Sequence, residues 1–190
     1  MKITRENTAC LVVDYQEKLM PIIAERKELV KNSVKLLKGL RALGVPMMIT
    51  GQYTKGLGLN IPEIFEAVGT EEYVDKLTFS CYQCPKVQEF LEHRPENTAE
   101  NPGGKNQFIL ICGIETHICT LQTAIDLAEA GYTPVFVVDC LSSRDLKNKE
   151  VALMRAQQGG VLLTTSESIL FELLEKSGTD VFKEISRLVK

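Results

Sequence analysis

Short apolar runs alternate with amphipathic stretches along the whole chain, and that rhythm restricts the fold more than any single residue does. Ala9–Val13, Pro46–Thr50, the short Tyr73–Lys76, Phe108–Cys112, Thr133–Val138 and Val161–Thr164 are mostly aliphatic or β-branched and read as strands. Lys27–Leu43, Val87–His93, His117–Ala130 and Lys147–Gln158 carry apolar residues at helical spacing, and Ser166–Glu175 and Asp180–Leu188 read as terminal helices. Gly44 and Gly131 stand where helices end, and Gly159-Gly160 breaks another. Strands that are apolar throughout, rather than alternating, are buried on both faces. The expected fold is therefore α/β: a doubly wound, mostly parallel six-stranded sheet with helices on both faces, in three layers. Residues 94–106 (RPENTAENPGGKN) are polar and rich in Pro and Gly, so they read as an exposed loop insertion. The rhythm resumes beyond them, and residues 1–190 are read as one domain.

At 190 residues the chain can enclose a full core. A formal charge of −3 gives no basic footprint for nucleic acid. No stretch approaches the ~20 apolar residues of a membrane span, and the polar start Met1–Asn7 does not resemble an export signal. The expectation is a cytoplasmic protein with a small-molecule substrate and neither a nucleic-acid nor a membrane partner. In that compartment the six cysteines (10, 81, 84, 112, 119 and 140) are expected to be reduced, with Cys10, Cys112 and Cys140 buried in or beside strands.

Open α/β sheets bind ligands at the carboxyl ends of their strands. That edge collects Asp14, Gln52, Lys76, Cys119, then Asp139, Ser142 and Ser143, then Thr165, Ser166 and Glu167. Cys119 is placed most tellingly. Gly113-Ile114-Glu115-Thr116 turns the chain after the fourth strand, Thr116 reads as an N-cap, and Cys119 then falls in the first helical turn. Unpaired N–H groups and the helix dipole there favour a thiolate, and so a nucleophile. A buried apolar filler is the competing reading, since free Cys is among the most buried residue types. Asp14 leaves an apolar strand and is either a turn or cap residue or a base for that thiol. Lys76 would hold the carboxylate charged or orient a substrate, although a lone Lys is usually solvated.

Other candidates are weaker. His93 ends a helix beside the polar loop and reads as facing water, and His117 points to a different side of its turn from Cys119. No His, Asp or Glu cluster has metal-ligand spacing, so no metal is expected. Cys81-Tyr82-Gln83-Cys84 is a single CxxC, which leaves thiol redox exchange open. No glycine-rich phosphate loop follows the first strand, where Asp14-Tyr15-Gln16-Glu17 stands instead.

Taken in order, Leu11-Val12-Val13-Asp14-Tyr15-Gln16, Gly51–Gly58, Asp75-Lys76-Leu77-Thr78-Phe79-Ser80 and Gly113-Ile114-Glu115-Thr116-His117-Ile118-Cys119 resemble the isochorismatase-like cysteine hydrolase family, over about Thr8 to Leu173. The resemblance implies a catalytic triad of Asp14, Lys76 and Cys119, a covalent thioester-like intermediate and no cofactor. It also implies a cis peptide at Ile114–Glu115 and an oxyanion hole from the Glu115 and Cys119 N–H groups. Members acting on isochorismate often lack the cysteine, so Cys119 points to amide or related C–N chemistry. Nicotinamidase members bind a metal through an Asp and two His before the lysine. This chain has Gln52-Tyr53 and Gly56-Leu57-Gly58 there, which places it in the small non-nicotinamidase branch. Gln52, Tyr53, Phe79 and Tyr15 are the expected substrate-binding residues, with Tyr82 a further candidate. Similar proteins form dimers or larger homo-oligomers. The competing functions are a silent family member that binds a partner and a CxxC redox protein.

Overall fold

The computed structural model describes residues 2–92 and 107–190, so His93 and the expected loop at 94–106 lie outside the described residues. Six parallel strands form one sheet: β1 (Thr8–Val13), β2 (Met47–Gln52), β3 (Val74–Lys76), β4 (Phe108–Ile114), β5 (Thr133–Ser142) and β6 (Leu162–Thr164), in the order β3-β2-β1-β4-β5-β6. The helices are α1 (Arg26–Leu43), α2 (Thr54–Leu57), α3 (Pro62–Val68), α4 (Pro85–Glu92), α5 (Leu121–Glu129), α6 (Leu146–Gln158), α7 (Ser166–Leu174) and α8 (Asp180–Leu188).

Two cores follow from strand alternation. Cys10 and Val12 of β1 face one layer with α1, α3, α7 and α8, whereas Ala9, Leu11 and Val13 face the other with α4, α5 and α6. Both layers are buried, which is why the strands are apolar at nearly every position. Gly44 ends α1 in the left-handed region at φ 73, bonding back to Leu40 and Arg41.

Several local expectations are corrected. The short helices α2 and α3 lie where none was read, because α2 is a single turn and α3 starts at Pro62 with little periodicity. β4 runs past Cys112 to Ile114, and β5 runs past Val138 to Ser142, so Asp139 lies within a strand rather than after it. Asp139 accepts bonds from the Ser166 N–H and hydroxyl, tying β5 to the start of α7. Thr116 is not an N-cap. Glu115 holds the extended cap conformation, and Thr116–Thr120 form a π-helical turn before α5 begins.

Strand order reverses between β1 and β4. The chain runs outward from β1 to β2 and β3, and from β4 to β5 and β6, which leaves a crevice at the carboxyl ends of the two central strands. Gly113 belongs at that junction. Its φ is +136, and a Cβ there would come within 2.1 Å of the Val13 carbonyl oxygen.

Candidate active site

Asp14 follows β1 directly and turns out of the strand with φ 56, a conformation Asp tolerates better than most side chains. Lys76 is the last residue of β3, and its ammonium lies 2.7 Å from Asp14 Oδ2 with both side chains 1% exposed. Cys119 arrives from the turn after β4, buried, close enough for the Asp14 carboxylate and the Lys76 ammonium both to act on its thiol. Three sequence-distant residues thus meet at the crevice, each delivered by the end of a different strand.

The ammonium is saturated. Besides Asp14, it donates to Gln52 Oε1 at 2.8 Å, Phe79 O at 3.2 Å and Thr78 O at 3.3 Å, more acceptors than it has hydrogens. Burial opposes its charge, but Cys81, Asp14 and Cys119 together outweigh that penalty and hold its pKa above the ordinary lysine range. A protonated Lys76 is therefore a fixed positive charge for Asp14, with no hydrogen left to orient a substrate.

Cys119 departs from expectation in its charge. Burial first, and then the Asp14 carboxylate, push its thiol well above the ordinary cysteine range, and the opposing pull of Lys76 does not compensate. Position at a helix start favours a thiolate only when no nearer anion opposes it. The resting sulfur is a thiol beside a carboxylate able to take its proton. Cys81 lies in the same buried cluster, 3.6 Å from Thr50 Oγ1, and burial followed by the Asp14 charge pushes it up to about 11. Its N–H donates to Thr123 Oγ1, which in turn donates to Cys119 O.

The expected pocket residues separate. Tyr15 is a correction: it is fully buried in the α1 core, with its hydroxyl bonded to Ser33 Oγ and Cys140 O. Gln52 reaches the cluster, but both ends of its amide are engaged, Oε1 by Lys76 and Nε2 by Leu77 O at 2.8 Å. Tyr53 and Phe79 are 49% and 53% exposed; the Tyr53 N–H donates to Lys76 O, and Phe79 O accepts from Lys76 Nζ. Tyr82 packs against the buried cluster that holds Cys81 and Cys119 and meets Tyr132 edge-on. The Ile114–Glu115 peptide is cis. The Glu115 carboxylate is held by the Arg144 backbone N–H at 2.9 Å and Nε at 3.1 Å. His117 Nδ1 lies 3.0 Å from Ser143 Oγ. Thr50 was the residue missed. It donates to Asp14 Oδ1 at 2.8 Å from mid-sheet, and its place in an apolar strand was the available signal. Among the described residues no group of three His, Cys, Asp or Glu side chains converges to hold a metal ion.

Comparison with known proteins converges on one family. A family model described as Isochorismatase domain matches residues 8–168. Isochorismatase domain-containing protein 2A of Mus musculus is 38% identical over 189 residues, spanning 100% of this chain and 85% of that protein. MAR1 ribonuclease from Caenorhabditis elegans superposes with a TM-score of 0.88 at 34% identity, over 100% of this chain and 92% of that one. The YcaC gene product from Escherichia coli, described as an octameric hydrolase of unknown specificity, shares the fold at a TM-score of 0.80 and 20% identity. That match covers 93% of this chain and 83% of the other.

Proposed function

The chain belongs to the isochorismatase family, and from that premise we propose that it is a cysteine hydrolase of a small amide or related C–N compound. The observation that supports this reading is the buried Asp14–Lys76 pair within reach of the Cys119 thiol. Asp14 takes the Cys119 proton as sulfur attacks the substrate carbonyl carbon, so a C–S bond forms as the S–H bond breaks. The tetrahedral oxygen is held by the Glu115 and Cys119 N–H groups. Collapse breaks the C–N bond, and the amine leaves with the proton from Asp14. Water then attacks the thioester, gives its proton to Asp14, and releases the carboxylic acid as the thiol re-forms. Lys76 stays charged throughout and pairs with the Asp14 carboxylate between steps.

Tyr53 and Phe79, exposed beside Lys76, form part of the substrate wall in this reading. All six cysteines are free, which suits a cytoplasmic setting. Among the described residues no helix is long and apolar enough to cross a membrane. The protein is further proposed to be a homo-oligomer, with the exposed Leu162 and Leu163 of the edge strand β6 as apolar surface to cover. Light scattering tests this directly, and a monomer across the micromolar range contradicts it.

Activity profiling across amides, ureides and esters, with wild type against Cys119→Ala, tests the reaction class. Turnover of one class that vanishes in Cys119→Ala supports the proposal. An RNA arm belongs in the same experiment, because the nematode relative is described as a ribonuclease. RNA cleavage without amide turnover would overturn the amide reading.

A further inference from the structure

The two charged residues of the cluster come from β1 and β3, so they are not neighbours in the sheet; β2 lies between them. In register, Val13 pairs with Thr50 and Lys76 pairs with Gln52. Thr50 and Gln52 are two residues apart on that middle strand, and side chains at such spacing share a face. Thr50 Oγ1 reaches Asp14 Oδ1 at 2.8 Å, and Gln52 Oε1 reaches Lys76 Nζ at 2.8 Å. Each member of the pair is therefore gripped on the side away from its partner, as Lys76 occupies the other oxygen of Asp14.

Directionality is determined by chemistry. An ionised Asp14 only accepts, so the Thr50 hydroxyl must donate to it, and the Cys81 sulfur 3.6 Å away is left to donate to Thr50. Gln52 presents its carbonyl oxygen to the ammonium, and one hydrogen of its NH2 goes to Leu77 O. The Gln52 backbone is itself clamped, with its N–H on Gln16 Oε1 and its carbonyl accepting from Gln16 Nε2. Both ends of the Gln52 amide are thus tied to this cluster, and one Nε2 hydrogen remains.

We propose that Thr50 and Gln52 are the positioning residues of this site, with β2 acting as the spacer that aims the Asp14 carboxylate at Cys119. The inference rests on the hydrolase reading for its consequence in turnover, but the geometry it describes is read without a substrate. Losing Thr50 frees Asp14 Oδ1 to swing toward Lys76 and away from the sulfur. Losing Gln52 frees the ammonium to shift toward the Thr78 and Phe79 carbonyls. Either change leaves the thiol without an aligned acceptor for its proton.

The test compares wild type with Thr50→Val, Thr50→Ser and Gln52→Met. Alkylation by iodoacetamide is followed at the Cys119 peptide by mass spectrometry, with Cys84 as an internal control. Thr50→Val and Gln52→Met are expected to slow Cys119 alkylation about tenfold or more, the scale of a lost bond to a charged group. Thr50→Ser should stay within about threefold of wild type, because it keeps the donor, and Cys84 should react unchanged. On any amide the enzyme turns over, kcat should fall with KM nearly constant. If Thr50→Val does not fold, Thr50→Ala carries the same comparison. Unchanged Cys119 alkylation in folded variants overturns the proposal, as does a Gln52→Met enzyme with raised KM and intact kcat. If no amide, ureide or ester is turned over yet alkylation still depends on Thr50, the positioning role stands and the hydrolase reading falls.

Discussion

Asp14 and Lys76 show what it takes to bury a pair of charges. Each side chain is 1% exposed, and each is compensated by the other and by bonds to Thr50, Gln52 and two carbonyls. Removing one partner leaves a buried charge unpaired, so Lys76→Met is expected to cost about 3–5 kcal/mol of stability. The double variant Asp14→Asn/Lys76→Met should recover most of that loss while remaining inactive. Urea denaturation measures both, and simple additivity of the two single losses would contradict the account. Asp14→Asn alone should lower turnover by roughly 10²–10⁴-fold, the range for a lost general base. The position of Asp14 at a strand end was readable from its apolar run. The charge state of Cys119 was not, because helix position argues for a thiolate while burial and the adjacent carboxylate, visible only in three dimensions, argue for a thiol.

Elements carry the next layer of constraint. β1 and β4 approach closely at Gly113, where a Cβ would meet the Val13 carbonyl at 2.1 Å and φ is +136. Gly113→Ala is expected to destabilise the fold by at least ~2 kcal/mol, since clash and backbone strain both act. A shift below ~0.5 kcal/mol in chemical denaturation would contradict that. The same junction explains why Tyr15 was misassigned. The positive φ of Asp14 breaks the strand's alternation, so the side on which Tyr15 lands cannot be counted off from Val12 and Val13. Periodic helices such as the 18-residue α1 and the shorter α8 were legible because their apolar faces repeat, and α2 was not because it is one turn. The holding roles of Thr50 and Gln52 were hidden for a different reason. They depend on β2 lying between β1 and β3, which is sheet order and not sequence order.

For the whole molecule, pH stability reports how the buried groups are balanced. The Cys81 thiol is raised from 9.0 to about 11 by burial and by Asp14, and Lys76 is raised from 10.5. A raised pKa contributes stability that is complete below the unfolded value and is lost as pH rises through the folded value. The urea midpoint should therefore not vary with pH through these groups below about pH 9, and should fall through pH 9–11 as the Cys81 contribution is lost, with the Lys76 loss setting in only above 10.5. Cys81→Ala should flatten part of that fall, and an unchanged slope would contradict the assignment. Iodoacetamide should discriminate among the thiols, because Cys10, Cys81, Cys112 and Cys140 are fully enclosed while Cys84 is partly exposed and Cys119 opens on the crevice. The most direct measurement is rapid acid quench of the wild-type enzyme with a slowly hydrolysed small amide or ester, followed by mass spectrometry of the Cys119 peptide. An acyl group is expected on Cys119, accumulating in wild type and absent in Cys119→Ala. Turnover with no adduct on that sulfur, and undiminished in Cys119→Ala, would contradict it.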